Sequence, residues 1–526
     1  MCYNVNSSFH INTKHKRKSM DKEVLDHFYS EFSILQEAVA QFKSGNLSSK
    51  EYAHIAAHYG TSPQPGHDNQ HILRLGLPGG RLNKEKIRFL LNTIGDYHIE
   101  NLKITFSQSI QFHDLSLDTV LKILPKAWEA GFISVGNGSD YTKNVICSPL
   151  TGLKPGEYIN VIPYVEAASN YLLKYQSVAA LPINFKISFS SSKDNEGHAS
   201  FNDLGFAARQ NRHFDVYAGG GLGENPRLGI LVGNNINPQH ILYYIRTMMD
   251  VLAEYSYTKA RYIPTYLGDN EFLEIFEKKL KSVMEQKDLD LTLTARSIPK
   301  KGNGETQENF RLKKQKQKGL YYVKYMPVGG FFEPEMLKKI YMNIVTMKLV
   351  ELRLSTDGGV YIANLTAKEA ETIYEITKGG AENLFEASII CAGNQHCRDG
   401  LINTQNLLDD CMQRIRKMGI DENLLPKLHI SGCAASCSAQ QIASLGFQGI
   451  HSTFTATPCV SIYYNGSKQL GTERLAKVAH SIPVDKVPDF LADLADVLHR
   501  ENLCYDEWIE GHMNQFITLL DKYCPY

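Results

Sequence analysis

Apolar and polar positions alternate along His71-Ile72-Leu73-Arg74-Leu75, Leu102-Lys103-Ile104-Thr105 and Ile110-Gln111-Phe112-His113-Asp114-Leu115. That period of two is expected of half-buried strands. A Pro78-Gly79-Gly80 turn and a helix follow the first run, and a helix opened by Ser116 follows the last. About 250 residues on, the order recurs: Tyr321-Tyr322-Val323-Lys324-Tyr325, the turn Pro327-Val328-Gly329-Gly330, Leu352-Arg353-Leu354-Ser355, then Val360 to Leu365. There Thr366 and Glu369 form a capping box. Five elements matching at one offset predict an internal duplication, two half-sheets related by a pseudo-twofold axis.

At 526 residues the chain exceeds one core, and about three domains are expected. With 43% hydrophobic and 21% charged residues it reads as globular. Lysine plus arginine equals aspartate plus glutamate, so charge offers no sign of a nucleic-acid partner. No apolar run reaches membrane-spanning length. Residues 1–19 are polar and read as a disordered arm or an over-extended start, and 20–65 as a helical extension. An α/β stretch from 136 to 299 holds a strand from Ile183 to Phe189 and the turn-rich Tyr217 to Gly223. The charged segment 300–318 reads as a surface linker. Residues 386–526 hold clustered cysteines and a helical tail through Val487 to Leu498.

Ten scattered cysteines do not form a disulfide framework, which favours a reducing, cytoplasmic compartment. Four of them fall in two pairs, Cys391/Cys397 and Cys433/Cys437, with 35 residues between the pairs. Such pairs on separate loops can surround one soft metal centre. The five-residue gap in the first pair is long for a zinc knuckle, which places a [4Fe–4S] cluster ahead of zinc or of unliganded core cysteines. Cys147, Cys411 and Cys459 read as ordinary buried cysteines.

Several motifs, in order, resemble the sirohaem-dependent nitrite and sulfite reductases. They are Leu73-Arg74-Leu75-Gly76-Leu77-Pro78-Gly79-Gly80, Gln111-Phe112-His113, Lys143-Asn144-Val145, Leu181-Pro182-Ile183-Asn184-Phe185-Lys186, Phe201 to Gly205 with Gly219 to Gly223, and the two cysteine pairs. The resemblance implies a mixed α/β (α+β) fold: paired ferredoxin-like half-domains at 66–135 and 320–385, and two α/β domains at 136–299 and 386–526 that bind sirohaem and cluster. It implies a [4Fe–4S] cluster on Cys391, Cys397, Cys433 and Cys437, with Cys437 also bridging to the sirohaem iron. Gln111, His113 and Asn144 would contact the macrocycle. Arg74, Lys143, Asn184 and Lys186 would bind the substrate anion and assist proton supply. The activity implied is six-electron reduction of nitrite to ammonium or sulfite to sulfide, with electrons from a separate ferredoxin-type donor.

Three cations with one Asn match the nitrite enzymes' pocket more than the sulfite enzymes'. Ser107 stands where the family carries an Arg for a macrocycle carboxylate, and Asp114 where it carries Gly. Both departures lead to the expectation of a weakened hold on the macrocycle, or of a modified tetrapyrrole with fewer free carboxylates. Two competing readings follow: a non-catalytic tetrapyrrole or Fe–S carrier or redox sensor, and a reductase of another small oxyanion. Arg74 and Lys186 could instead be rim charges, and His113 a packed core histidine. The run Arg311 to Lys318 suits either a solvated linker or a docking strip for an acidic ferredoxin.

Overall fold

A computed structural model describes residues 20–64, 69–135, 144–176, 185–255, 259–293, 298–451 and 457–524. Its frame is four five-stranded sheets. In the first, Thr61–Pro63, His71–Leu75, Ile110–Leu115 and Leu102–Ile104 lie side by side, and the fifth strand, Phe331–Phe332, comes from the second half of the chain. In another, Leu312–Lys314, Tyr321–Tyr325, Val360–Leu365 and Glu351–Leu354 are completed by Arg81–Leu82 from the first half. The halves thus exchange edge strands, with Phe331 opposite Lys103 and Leu82 opposite Leu352. One hydrophobic core runs through both, from Leu73, Phe112 and Leu102 to Val323, Ile362 and Leu352. Capping closes the helices behind them: Asn83 accepts from the Lys86 N–H at 2.9 Å, Ser116 from the Thr119 N–H at 3.2 Å, and Glu369 from the Thr366 N–H at 2.8 Å. Helices Lys22–Lys43 and Ser49–His58 cover this core, with Phe28 and Phe32 each edge-on to buried Trp128 at 5.5 Å.

The duplication extends beyond these sheets. Val145–Cys147, Ile187–Ser190, Leu204–Ala208, Phe214–Ala218 and Ile230–Ile236 pair in chain order, two parallel contacts followed by two antiparallel ones. Ile389–Ile390, Leu428–Ser431, Leu445–Ile450, Cys459–Tyr464 and Lys477–Pro483 repeat that pattern. Left-handed residues fall at matching steps after the second strand of each set, Asn195 and His198 in one, Ser436 and Ala439 in the other. Among the described residues no helix is long and apolar enough to cross a membrane.

Two expectations change. The segment 300–318 is not wholly a solvated linker: Leu312–Lys314 pairs with Tyr321–Tyr325, and Arg311 is 1% exposed. Its guanidinium binds Glu382 at 2.9 Å, the Thr377 hydroxyl at 2.8 Å and the Tyr374 carbonyl at 3.1 Å. A charge-rich window reads as surface because composition cannot see a buried cation satisfied by distant carbonyls. The strand expected from Ile183 begins at Ile187. The expected arm 1–19 lies outside the described residues.

Candidate functional site

Strand register builds one wall of the site. Arg74 lies opposite Gln111, Gln111 opposite Lys103, and Lys103 opposite Phe331, a row on one face of the first sheet. Their neighbours Leu73, Phe112, Leu102 and Phe332 turn the other way, into the core. Gln111, its amide oxygen facing the guanidinium, accepts from Arg74 Nε at 3.2 Å and Nη2 at 2.8 Å. That fork fixes Arg74 and leaves three of its five N–H groups for another ligand. Burial lowers the Arg74 pKa and Cys437 opposes it. Lys186 has solvent-exposed surface, yet the protein packed around its amine lowers its pKa by desolvation, with Asp203 and Cys437 opposing and Lys259 and Arg74 adding to the fall. Arg74 and Lys186 thus both lie within electrostatic reach of Cys437. Lys143 and Asn184 lie outside the described residues.

His113 is 1% exposed, its ring edge-on to Phe331 at 5.7 Å and His396 at 5.5 Å. Burial, His396 and Lys103 push its pKa down to about 3, so the imidazole is neutral. Asn144 donates to the Ser107 carbonyl. The turn carrying Ser107 is tied to the next domain by Gln108, which donates to the Cys147 carbonyl at 3.0 Å and accepts from its N–H at 2.9 Å. Asp114 behaves differently from its sequence reading. At φ +60° its carboxylate accepts from Gln64 at 2.5 Å and Asn101 at 2.6 Å, so its charge is taken up by two protein amides. Asn364 holds the matching left-handed place in the other half, paired with Gln315 at 3.2 Å. Asx residues at both positions answer a backbone need.

The four thiols arrive on two loops leaving parallel strands. Cys391 follows Ile389–Ile390, and Cys433 and Cys437 follow Leu428–Ser431. Cys391 Sγ accepts from the Gly432 N–H at 3.0 Å and the Gly393 N–H at 3.3 Å. A Cβ on Gly432 would sit 3.4 Å from that sulfur, so glycine permits the approach. Ser431 and Ser438 hydroxyls lie 2.6 Å apart and brace the second loop. Burial pushes the Cys437 thiol up to about 12, helped by Cys391, Cys397 and Cys433, which places all four in one neighbourhood. One tetrahedral zinc holds its sulfurs about 3.8 Å apart, given Zn–S near 2.3 Å. Among the described residues, three donor atoms within 4.8 Å of one another occur at His480, Asp521 and Cys524, not among these thiols. Buried polar atoms along the wall agree with a further polar group: both His113 ring nitrogens, Lys103 Nζ and Asn144 Oδ1 lack a hydrogen-bond partner among the described residues.

The duplicated cleft is built otherwise. Steps from the matching strands place Ser192 and Glu196 where the other loop has Cys433 and Cys437. Lys324, Tyr361 and Arg353 replace Arg74, Gln111 and Lys103. Lys324 and Lys427 both bind the Asp357 carboxylate there, the latter at 2.8 Å. The cations there are neutralised by carboxylates, and Cys433 and Cys437 have no cysteine counterpart. Lys103 was legible in the sequence only as a strand position. It keeps the alternation of its strand, so nothing in the local pattern signalled that its face is buried as well.

Residues 138–282 match the nitrite and sulphite reductase 4Fe-4S domain, and residues 62–127 the nitrite/sulfite reductase ferredoxin-like half domain. The first match falls on the α/β copy without the paired cysteines, which repeats the sheet order of the copy that has them. A chloroplastic ferredoxin–nitrite reductase of Oryza sativa subsp. japonica is 24% identical, over 80% of this chain and 74% of its own length. The ferredoxin–nitrite reductase of Leptolyngbya laminosa is also 24% identical, over 82% and 87%. In structure, the NirA protein of Mycobacterium tuberculosis aligns with a TM-score of 0.74 at 17% identity, over 90% of this chain and 92% of that one. Two segments of this chain thus match domains of the nitrite and sulfite reductases, its sequence is similar to ferredoxin–nitrite reductases over about four fifths of its length, and its fold is that of the NirA structure.

Proposed function

We propose that this chain reduces nitrite to ammonium with six electrons from a ferredoxin-type donor, in the cytoplasm. The observation that carries the reading is the convergence of Arg74 and Lys186 on Cys437 beside three further thiols. Cys391, Cys397, Cys433 and Cys437 would hold the [4Fe–4S] cluster, Cys437 would join it to sirohaem, and Gln111, His113 and Asn144 would contact the macrocycle. When bound, that centre supplies single electrons to one substrate atom. Arg74, held by Gln111, presents its remaining N–H groups to the anion's oxygens. Lys186, its pKa lowered by burial, gives up a proton more readily than a free lysine. Lys143 and Asn184 complete the polar set. His113, neutral, can donate one N–H without adding charge. Nitrite, six electrons and eight protons balance to ammonium and two waters, so proton supply matters as much as electron supply.

The test is an anaerobic spectrum with acid-acetone extraction and iron analysis, then turnover with a reduced low-potential donor. Sirohaem, four non-haem irons per chain and preference for nitrite over sulfite in direct competition support the reading. Preference for sulfite would reassign the substrate. Both cofactors without turnover of either anion would favour a carrier or sensor.

A further inference from the structure

Lys103 has no place in the substrate pocket described above, yet it is one of the most constrained cations in the molecule. The residue is 5% exposed, and its amine has no hydrogen-bond partner among the described residues. The Phe331 ring lies 4.8 Å from Nζ. A Cβ on Gly330 would lie 3.9 Å from Nζ and 3.8 Å from the Ile390 carbonyl, and Ile390 immediately precedes Cys391. The amine thus sits at the foot of the first cysteine loop. Burial lowers its pKa, and the groups opposing that are sulfurs: Cys391, Cys437 and Cys397.

The duplicated half supplies an internal control. Arg353 holds the matching position, opposite Tyr361 on one side and Arg81 on the other. It is 4% exposed, but Glu351 neutralises it at 2.7 Å and also binds Arg81 at 2.8 Å. At Arg353 the neighbouring thiol is the single Cys147, kept un-ionised by burial, and the protein provides a carboxylate. At Lys103, where Cys391, Cys437 and Cys397 lie in reach, none of the described residues bonds the cation. A buried ammonium without a counter-charge is costly. A 2+ cubane core with four thiolates carries two negative charges, and three after reduction.

We infer that Lys103 is a positioning residue that sets the reduction potential of the cluster, its fixed positive charge favouring the more negative, reduced state. The inference rests on the proposed cluster ligation but not on the substrate. The step concerned is one electron passing from the reduced donor to the cluster, the donor being oxidised, with no proton leaving Lys103. Charge near the sulfurs is among the factors that set such potentials.

The experiment is an anaerobic redox titration followed by EPR on the purified holoprotein, comparing wild type, Lys103→Gln and Lys103→Arg, with iron counted in each. Expected are four irons per chain in all three, a more negative cluster midpoint in Lys103→Gln, and a midpoint near wild type in Lys103→Arg. A Lys103→Gln protein with full iron and an unchanged midpoint overturns the inference and leaves the cluster ligation standing. Loss of iron from Lys103→Gln with retention in Lys103→Arg overturns tuning in favour of assembly. Loss from both variants shows that shape rather than charge matters, and also overturns it. Wild-type protein purified with its chromophore intact but without cubane iron overturns both this inference and the proposed ligation.

Discussion

Asp114 separates a sequence-level reading from a structural one. As a charge beside an anionic macrocycle it would weaken cofactor binding; as the anchor of a left-handed turn it would not touch the cofactor. Its carboxylate accepts from Gln64 at 2.5 Å and Asn101 at 2.6 Å, while its own N–H donates to Gln64 at 3.0 Å. Hydrogen bonds to a charged acceptor contribute about 1.5–3 kcal/mol each, so Asp114→Ala forfeits about 3–6 kcal/mol. Holding alanine left-handed adds about 1 kcal/mol. Asp114→Asn keeps the conformation, and the amide of Asn101 can turn to offer its oxygen, so its cost is about 1 kcal/mol. Asn364 already performs this role in the other half, its N–H bonded to Gln315 at 2.6 Å. The assay is extracted sirohaem and iron per chain together with thermal unfolding, read on the first transition because four sheets need not melt as one unit. Asp114→Asn should match wild type in sirohaem and nearly in stability, and Asp114→Ala should unfold markedly earlier. Sirohaem content rising above wild type in Asp114→Asn would refute the reasoning, since it would mean the carboxylate repels the macrocycle.

Cys437→Ser should lower iron well below four per chain and remove the visible cluster absorption, measured by colorimetric iron assay and spectroscopy. Arg74→Lys keeps the charge but loses the fork on Gln111, so KM for nitrite should rise about 10-fold or more by steady-state kinetics with reduced donor. Glu351 supplies a pH test: burial acts to raise its pKa, but Arg353 and Arg81 overcome it and hold the carboxyl at about 2. A depressed carboxyl stabilises above its unfolded value and loses that contribution as pH falls from about 5 toward 2, on the order of 3 kcal/mol. Glu351→Gln should therefore show a shallower loss of stability than wild type over that range in acid titrations followed by circular dichroism. Arg311→Met, which takes the guanidinium donors from the Thr377 and Tyr374 carbonyls and from Glu382, should cost about 2–4 kcal/mol in denaturant unfolding.

Much of the site could be read along the chain because its signals are local. Alternation set which face of His71–Leu75 and Ile110–Leu115 is buried, since a strand has a period of two whatever it pairs with. Left-handed turns drew Gly79 and Gly80 for steric reasons intrinsic to glycine. Two cysteine pairs announced a soft metal centre through ligand chemistry alone.

Partnership across the chain was decided by tertiary structure. Nothing near Phe331 states that it closes the first half's sheet beside Lys103, because that pairing spans more than 200 residues. Buried charge is the other case: Arg311 read as part of a solvated linker or docking strip, Asp114 as a misplaced charge and Lys103 only as a strand position. Their meaning depends on groups brought alongside from elsewhere, carbonyls and a carboxylate for Arg311, amides for Asp114 and thiols for Lys103. The free energy of a charge is set by what surrounds it in space, and sequence order records surroundings only a few residues deep.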